Sequence, residues 1–212
     1  MRRIRTKVDL KEGVAALIRS CGHLARVYAL SGEPPLRRRP AGFKGLSRVV
    51  VGQQLSIASA KAIWGRLEAE VHPFTASFLT VPDRDLRRAG LSVAKIATLR
   101  RLAAAIDNGT LDLDALTQAP EEVIHAELTA LKGIGPWTAD IYILFCLARA
   151  DAWSPGDLAL QVAVKDAFAL EARPDQASMI EIAEAWRPWR AVAARMLWSY
   201  YAFRRKTVDA PA

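Results

Sequence analysis

Apolar residues recur at three- and four-residue spacing through most of the chain, and alternating runs of the kind a half-buried strand needs are nearly absent. The pattern predicts an all-α fold, with helices at roughly 9–20, 23–30, 43–53, 57–71, 75–80, 83–88, 92–107, 112–117, 121–130, 136–149, 158–170, 176–186 and 188–203. Breakers at Gly32-Glu33-Pro34-Pro35, Asn108-Gly109, Pro120, Pro155-Gly156, Pro174 and Pro188 separate them. From Pro136 onward, Trp137, Ala139, Ile141, Tyr142, Ile143, Leu144, Phe145, Cys146, Leu147 and Ala148 make one helix apolar nearly all round, so it is expected to be central and buried. The first six residues and the final Ala210-Pro211-Ala212 are expected to fray.

With 212 residues, one globular body and two interlocked lobes are both open, and a hydrophobic share of 51% can supply a real core. Thirty Lys and Arg against 22 Asp and Glu give a net charge of +8 and a pI near 9.9, which favours a polyanionic partner. Nucleic acid is the foremost candidate, and a basic protein with a merely solvated surface stays open on charge alone. Cys21 and Cys146 lie far apart with no Cys or His spacing around them, so neither a zinc site nor a four-cysteine iron–sulfur cluster is expected. They read as free core thiols in a reducing, cytoplasmic compartment. No long apolar stretch follows Arg2-Arg3-Ile4-Arg5-Thr6-Lys7, so neither a signal peptide nor a membrane span is expected. His23, His72 and His125 are scattered and read as surface or helix-packing side chains without a catalytic role.

The chemistry concentrates in Leu131-Lys132-Gly133-Ile134-Gly135-Pro136-Trp137-Thr138-Ala139 and, about twenty residues on, Trp153-Ser154-Pro155-Gly156-Asp157. Two glycines around one apolar residue, between a helical run and a proline suited to open the next helix, form a helix-hairpin-helix signature. The amides of such a turn can face a phosphate, because a helix start carries the positive end of its dipole and reads no base. Asp157, ahead of an apolar helical run, is at minimum an N-cap, and capping does not exclude catalysis.

Three stretches in order, residues 131–140, Pro155-Gly156-Asp157-Leu158-Ala159-Leu160-Gln161 and Val50-Val51-Gly52-Gln53-Gln54-Leu55-Ser56, resemble the helix-hairpin-helix DNA glycosylases. The branch most like it is 3-methyladenine DNA glycosylase II, with Gly90-Leu91-Ser92-Val93-Ala94-Lys95 and Arg187-Pro188-Trp189-Arg190 falling where that branch has similar segments. The resemblance implies a two-lobed helical glycosylase core. A helical lobe at about 35–120 joins a hairpin-bearing region 121–170, and helices at 8–34 and 175–203 pack as the second lobe. Some members carry an extra N-terminal sheet domain; this chain is expected to be a minimal form without one.

By the same resemblance, Asp157 faces C1′ of a flipped nucleotide and stabilises the charge that develops on the sugar as the base departs. Members that also cleave the strand have a lysine where this chain has Trp137, so a monofunctional enzyme without lyase activity is expected. Trp137, Trp153 and Trp198 fall where the family lines or supports its base pocket, and Tyr142 lies one residue past a lining position; a tryptophan at helical spacing, taken singly, is more often a core aromatic. Electron-rich ring faces suit an N-alkylated, cationic purine. Gln54, with Gln53 beside it, matches the loop that enters the duplex and fills the gap left by the flipped base. Lys132, Gly133, Ile134, Gly135 and Thr138 are expected to hold phosphate, and Arg48 and Lys44 are further phosphate candidates.

No cofactor is expected to be required. The family's hairpin carbonyls, here of Thr129, Leu131 and Ile134, imply a bound potassium or sodium ion. The expected partner is double-stranded DNA containing alkylated bases, met by a monomer with no membrane contact, in the cytoplasm or nucleoid. Two other readings stay open: a non-catalytic DNA-damage-binding protein that kept the hairpin, and a glycosylase for deaminated bases such as hypoxanthine or uracil.

Overall fold

The computed structural model describes residues 1–70 and 76–208. His72, the outer residues of the helices expected at 57–71 and 75–80, and Ala210-Pro211-Ala212 lie outside them. Among the described residues the helices are α1 Lys7–Ser20, α2 Gly22–Ser31, α3 Gly42–Gly52, α4 Ile57–Glu70, α5 Asp83–Ala89, α6 Val93–Asp107, α7 Leu113–Leu116, α8 Glu121–Thr129, α9 Pro136–Phe145, α10 Leu158–Phe168, α11 Gln176–Glu184 and α12 Arg190–Val208, with a 3₁₀ turn at Ala76–Leu79. The all-α expectation holds: the strand-like pairing among the described residues is one antiparallel bridge between Arg3 and Arg149. No described helix is long and apolar enough to cross a membrane.

The chain divides into two units, one of Met1–Arg38 with Ala148–Ala212, the other Arg39–Leu147. The seam falls inside the expected hairpin-bearing region, so the hairpin and the segment holding Asp157 belong to different units.

In the first unit α12 packs on α1, α2 and α10. Its residues Ala191, Val192, Ala193, Ala194, Met196 and Leu197 have no exposed surface, which small side chains on a crowded helix permit. Gly13 of α1 allows the closest approach, since a Cβ there would stand 2.6 Å from Val192 and 2.7 Å from the Trp189 ring.

In the second unit α3 is the hub, packing on α4, α6, α7 and α9, with Leu46, Val49, Val50 and Val51 buried. The expected central burial of the Pro136 helix is also present: Thr138 through Phe145 are all buried.

Three details differ from the sequence reading. The N-terminal residues do not fray: Ile4 is fully buried, its N–H donates to Ala148 O at 2.8 Å, and Arg2 O accepts from Ala150 N–H at 3.1 Å. That pairing also ends α9 early, because Ala148 leaves the helical region at φ 56° and the chain turns to meet the N-terminus. The last helix starts at Arg190, two residues beyond Pro188.

Candidate functional site

In the second unit α8 and α9 are joined by the turn Ala130–Gly135, which the packing forces to be glycine-bearing. Gly133 sits at φ 101°, and a Cβ there would lie 2.0 Å from Thr98 Oγ1 of α6. Ile134 is 3% exposed and plugs the turn into the core. Gly135 is the N-cap of α9 with Pro136 behind it, and no side chain caps that end. Pro136 has no N–H, and the Ala139 N–H donates to Gly135 O at 3.1 Å.

Not every expected phosphate group points outward. The Ile134 N–H donates to Leu131 O at 3.0 Å and the Thr138 N–H to Gly135 O at 2.9 Å, so the turn uses both internally. The Thr138 hydroxyl is buried and accepts from Gln53 Nε2 at 2.8 Å, which removes it from phosphate contact. Lys132 and Gly133 are the exposed members.

A pair not signalled by sequence staples the two hairpin helices: His125 Nε2 lies 2.6 Å from Asp140 Oδ1. Asp140, buried and beside it, raises the imidazole pKa above its ordinary value, with desolvation opposing.

The turn after α3 resolves the two glutamines. Gln53 reaches back, its Nε2 donating to Thr138 Oγ1 and, at 3.1 Å, to Gly133 O. Gln54 is exposed at φ 54°, followed by exposed Leu55 and Ile57. Ser56 caps α4 by accepting from Ser59 N–H at 3.1 Å. Gln54 is thus the exposed tip of the turn itself, and Gln53 its tie to the hairpin. Lys44 and Arg48 each have a protein partner, Lys44 while remaining exposed: Lys44 Nζ is 2.7 Å from Glu68 Oε1, and the Arg48 guanidinium lies 5.6 Å from the Trp64 ring centre.

In the first unit Asp157 is the N-cap of α10 and only 8% exposed. Its Oδ1 accepts from Leu160 N–H at 3.0 Å and from the Trp198 indole N–H at 3.1 Å. The loop before it is braced, with Gln161 Nε2 donating to Pro155 O at 2.9 Å. A carboxylate with one oxygen fixed by a main-chain amide and a half-buried indole is preorganised to face developing positive charge.

The expected aromatic set divides by burial. Trp137 and Trp198 are half-buried. Trp153 is a core side chain, its N–H donating to Met179 O at 3.1 Å and its ring edge-on to Trp186 at 5.3 Å, so it supports the Asp157 loop and does not line a surface. Tyr142 has no exposed surface and its hydroxyl accepts from Gly42 N–H at 3.0 Å; burial pushes the phenol up to about 12. A ring closed in this way cannot meet a base, which corrects its assignment to the pocket. Among the described residues no group of three or more His, Cys, Asp or Glu could hold a metal ion.

A family model described as HhH-GPD superfamily base excision DNA repair protein matches residues 47–188, spanning the Gln53-Gln54 turn, the hairpin and Asp157. The chain belongs to this superfamily. Among solved members, it superposes on a Schizosaccharomyces pombe 3-methyladenine DNA glycosylase in complex with abasic DNA with a TM-score of 0.82 at 25% identity, covering 88% of this chain and 95% of that one. A DNA-3-methyladenine glycosidase from Bacillus halodurans gives a TM-score of 0.76 at 32% identity over 97% and 95% of the two chains. In sequence, the chain is 29% identical over 212 residues to a Mycobacterium tuberculosis protein named bifunctional transcriptional activator/DNA repair enzyme AlkA, covering 93% of this chain. It spans only 42% of that protein's length, and 64% of a Bacillus subtilis relative named as a DNA-3-methyladenine glycosylase.

Proposed function

We propose that this chain is a monofunctional DNA glycosylase of the 3-methyladenine type. It flips an N-alkylated purine from duplex DNA, hydrolyses its N-glycosidic bond and leaves an abasic site. What carries the reading is the Asp157 corner, a nearly buried carboxylate whose Oδ1 is held by the Leu160 amide and the Trp198 indole.

The hairpin of a superfamily member grips phosphate through the exposed Lys132 and Gly133. Gln54 enters the duplex where the base leaves. As the C1′–N bond breaks, its electron pair goes to the purine, which departs neutral because alkylation had made it cationic. Asp157 stabilises the positive charge left on the sugar, water adds its oxygen to C1′, and the water proton passes to the carboxylate and then to solvent. Trp198 offers an electron-rich face to the cationic base. Trp137 stands where strand-cleaving members have a lysine, so no amine is available there to form a Schiff base. The enzyme works as a monomer, in the cytoplasm or nucleoid.

No cofactor is required for that sequence of steps. The main-chain oxygens of Thr129, Leu131 and Ile134 are neutral hard donors suited to a monovalent cation, and Leu131 O, which accepts from Ile134 N–H, keeps a second lone pair. A potassium or sodium ion held there would add positive charge on the phosphate side of the hairpin.

The test is release of free base from alkylated duplex by wild type and Asp157→Asn. Asparagine caps a helix as well as aspartate, so the fold should persist while release falls by about 10²–10³. Equal release by both would remove Asp157 from the chemistry. No release by either would turn the assignment to a damage-binding protein. A panel of 3-methyladenine, 7-methylguanine, 1-methyladenine and hypoxanthine duplexes tests the substrate class, and fastest turnover on hypoxanthine would overturn it.

A further inference from the structure

Helix α6 carries Lys95, Thr98 and Arg101 at three-residue steps, which places them along one face. Each touches a different part of the apparatus that the glycosylase reading assigns to DNA. Lys95 Nζ donates to Val51 O at 2.8 Å and to Gln53 O at 2.9 Å. Thr98 lies directly beneath Gly133, and Arg101 Nη1 donates to Lys132 O at 3.3 Å.

Lys95 therefore sits at the C-terminal end of α3, where the last carbonyls lack intrahelical donors and the dipole is negative. Its ammonium is half-buried, and desolvation lowers its pKa. The residue after the one it holds, Gln54, adopts the left-handed region at φ 54°. Non-glycine residues persist there only when the surroundings over-determine the backbone. Two ties do so: Lys95 holds the carbonyl of Gln53, and the Gln53 side chain is bonded to Gly133 O and Thr138 Oγ1.

We propose that Lys95 is a positioning residue for base flipping: by clamping the Val51 and Gln53 carbonyls it holds Gln54 ready to enter the duplex, in fixed register with the hairpin that grips the phosphates. This role rests on the glycosylase reading. Lys95 touches neither the reacting sugar nor the base, and acts through the backbone of the turn.

The experiment is single-turnover excision of 7-methylguanine from a duplex by wild type, Lys95→Met, Lys95→Arg, Gln54→Ala and the Lys95→Met/Gln54→Ala double variant. Lys95→Met should slow excision about tenfold, with Lys95→Arg recovering most of the rate. The double variant should be no slower than Gln54→Ala alone, because both changes disable one step. On a duplex whose lesion faces an abasic analogue, where no partner base has to be separated, the Lys95→Met defect should shrink to about twofold. Multiplicative effects in the double variant, or an equal defect on both duplexes, would make Lys95 a general structural residue and overturn the proposal. If Lys95→Met melts below the assay temperature, Lys95→Gln, which stays polar but loses the charge and one atom of the reach to the two carbonyls, carries the same comparisons. A wild type that excises while Lys95→Met matches it defeats the positioning role alone; a wild type that releases no base defeats the glycosylase reading and this role with it.

Discussion

The hairpin with its neighbouring turn and the Asp157 corner are built on different principles. In the second unit the contacts fall mainly on backbone: Gly133 against Thr98, Lys95 on two carbonyls, Gln53 on the Gly133 carbonyl. In the first unit they fall on one side-chain oxygen, reached by an amide and an indole. On the proposed function, the difference follows from the two tasks. Holding a phosphodiester chain is independent of base identity and asks for rigid, well-aimed amides. Stabilising charge at one breaking bond asks for a particular charged atom at a particular place. Side-chain exchanges should therefore be mild in the first region unless they move the backbone, and severe in the second even when they do not.

Gly133→Ala is the strongest way to break the hairpin side of that contrast. It combines a left-handed φ of 101° with a contact of 2.0 Å to Thr98 Oγ1. The strain and the overpacking together should lower stability by about 3 kcal/mol. Urea denaturation should show the loss, and affinity for undamaged duplex should fall on every sequence, whereas Asp157→Asn should bind as wild type does. Wild-type stability and affinity in Gly133→Ala would mean that the turn is not held by its backbone.

Trp198→Phe probes the other side with a smaller change. It keeps an aromatic face but deletes the donor 3.1 Å from Asp157 Oδ1. The rate of base release should fall about tenfold, equivalent to the ~1.4 kcal/mol of a hydrogen bond to a charged group. Duplex affinity should stay within about twofold, since no phosphate contact is touched. Reduced affinity with an unchanged rate would invert the assignment of tasks to the two regions.

Local signals made much of this legible in advance. The helices follow from apolar periodicity, the hairpin from its Gly-x-Gly-Pro spacing, and the cap at Asp157 from a short polar side chain before an apolar run. What stayed hidden was decided by distant partners. Residues 146–149 are helix-compatible, yet they leave α9 where Ala148 O and Ala150 N–H pair with Ile4 and Arg2. Gln53 and Gln54 are identical in type, and the backbone separates tie from tip. Tyr142 and Trp153 match the aromatic expectation in kind, but Gly42 and Met179 take their polar atoms inside the core. Lys95 was visible within a family-like segment, while its role depends on carbonyls more than forty positions away.

The staple between the hairpin helices departs from the backbone rule and yields the smallest predicted effect. His125 and Asp140 join α8 to α9 through a charge-assisted pair, with His125 about a third exposed at 34%. Asp140 raises the folded-state pKa of the imidazole above the ordinary 6.5. The charged form is therefore favoured by folding, and its contribution is complete below pH 6.5 and fades as the pH climbs through the raised value. Solvent screening at a partly exposed ring keeps the contribution under about 1 kcal/mol, or about 2 °C in melting temperature for a chain of this size. Neutral histidine still donates to the carboxylate, so the bond persists and only its charge is lost. Thermal melts at about pH 5.5 and about pH 8.5, roughly one unit below and two units above ordinary histidine, should show wild type losing that increment and His125→Gln showing no such step. If the two proteins lose stability in parallel, the staple contributes through hydrogen bonding alone, and the charge on His125 adds nothing to the hold of α8 on α9.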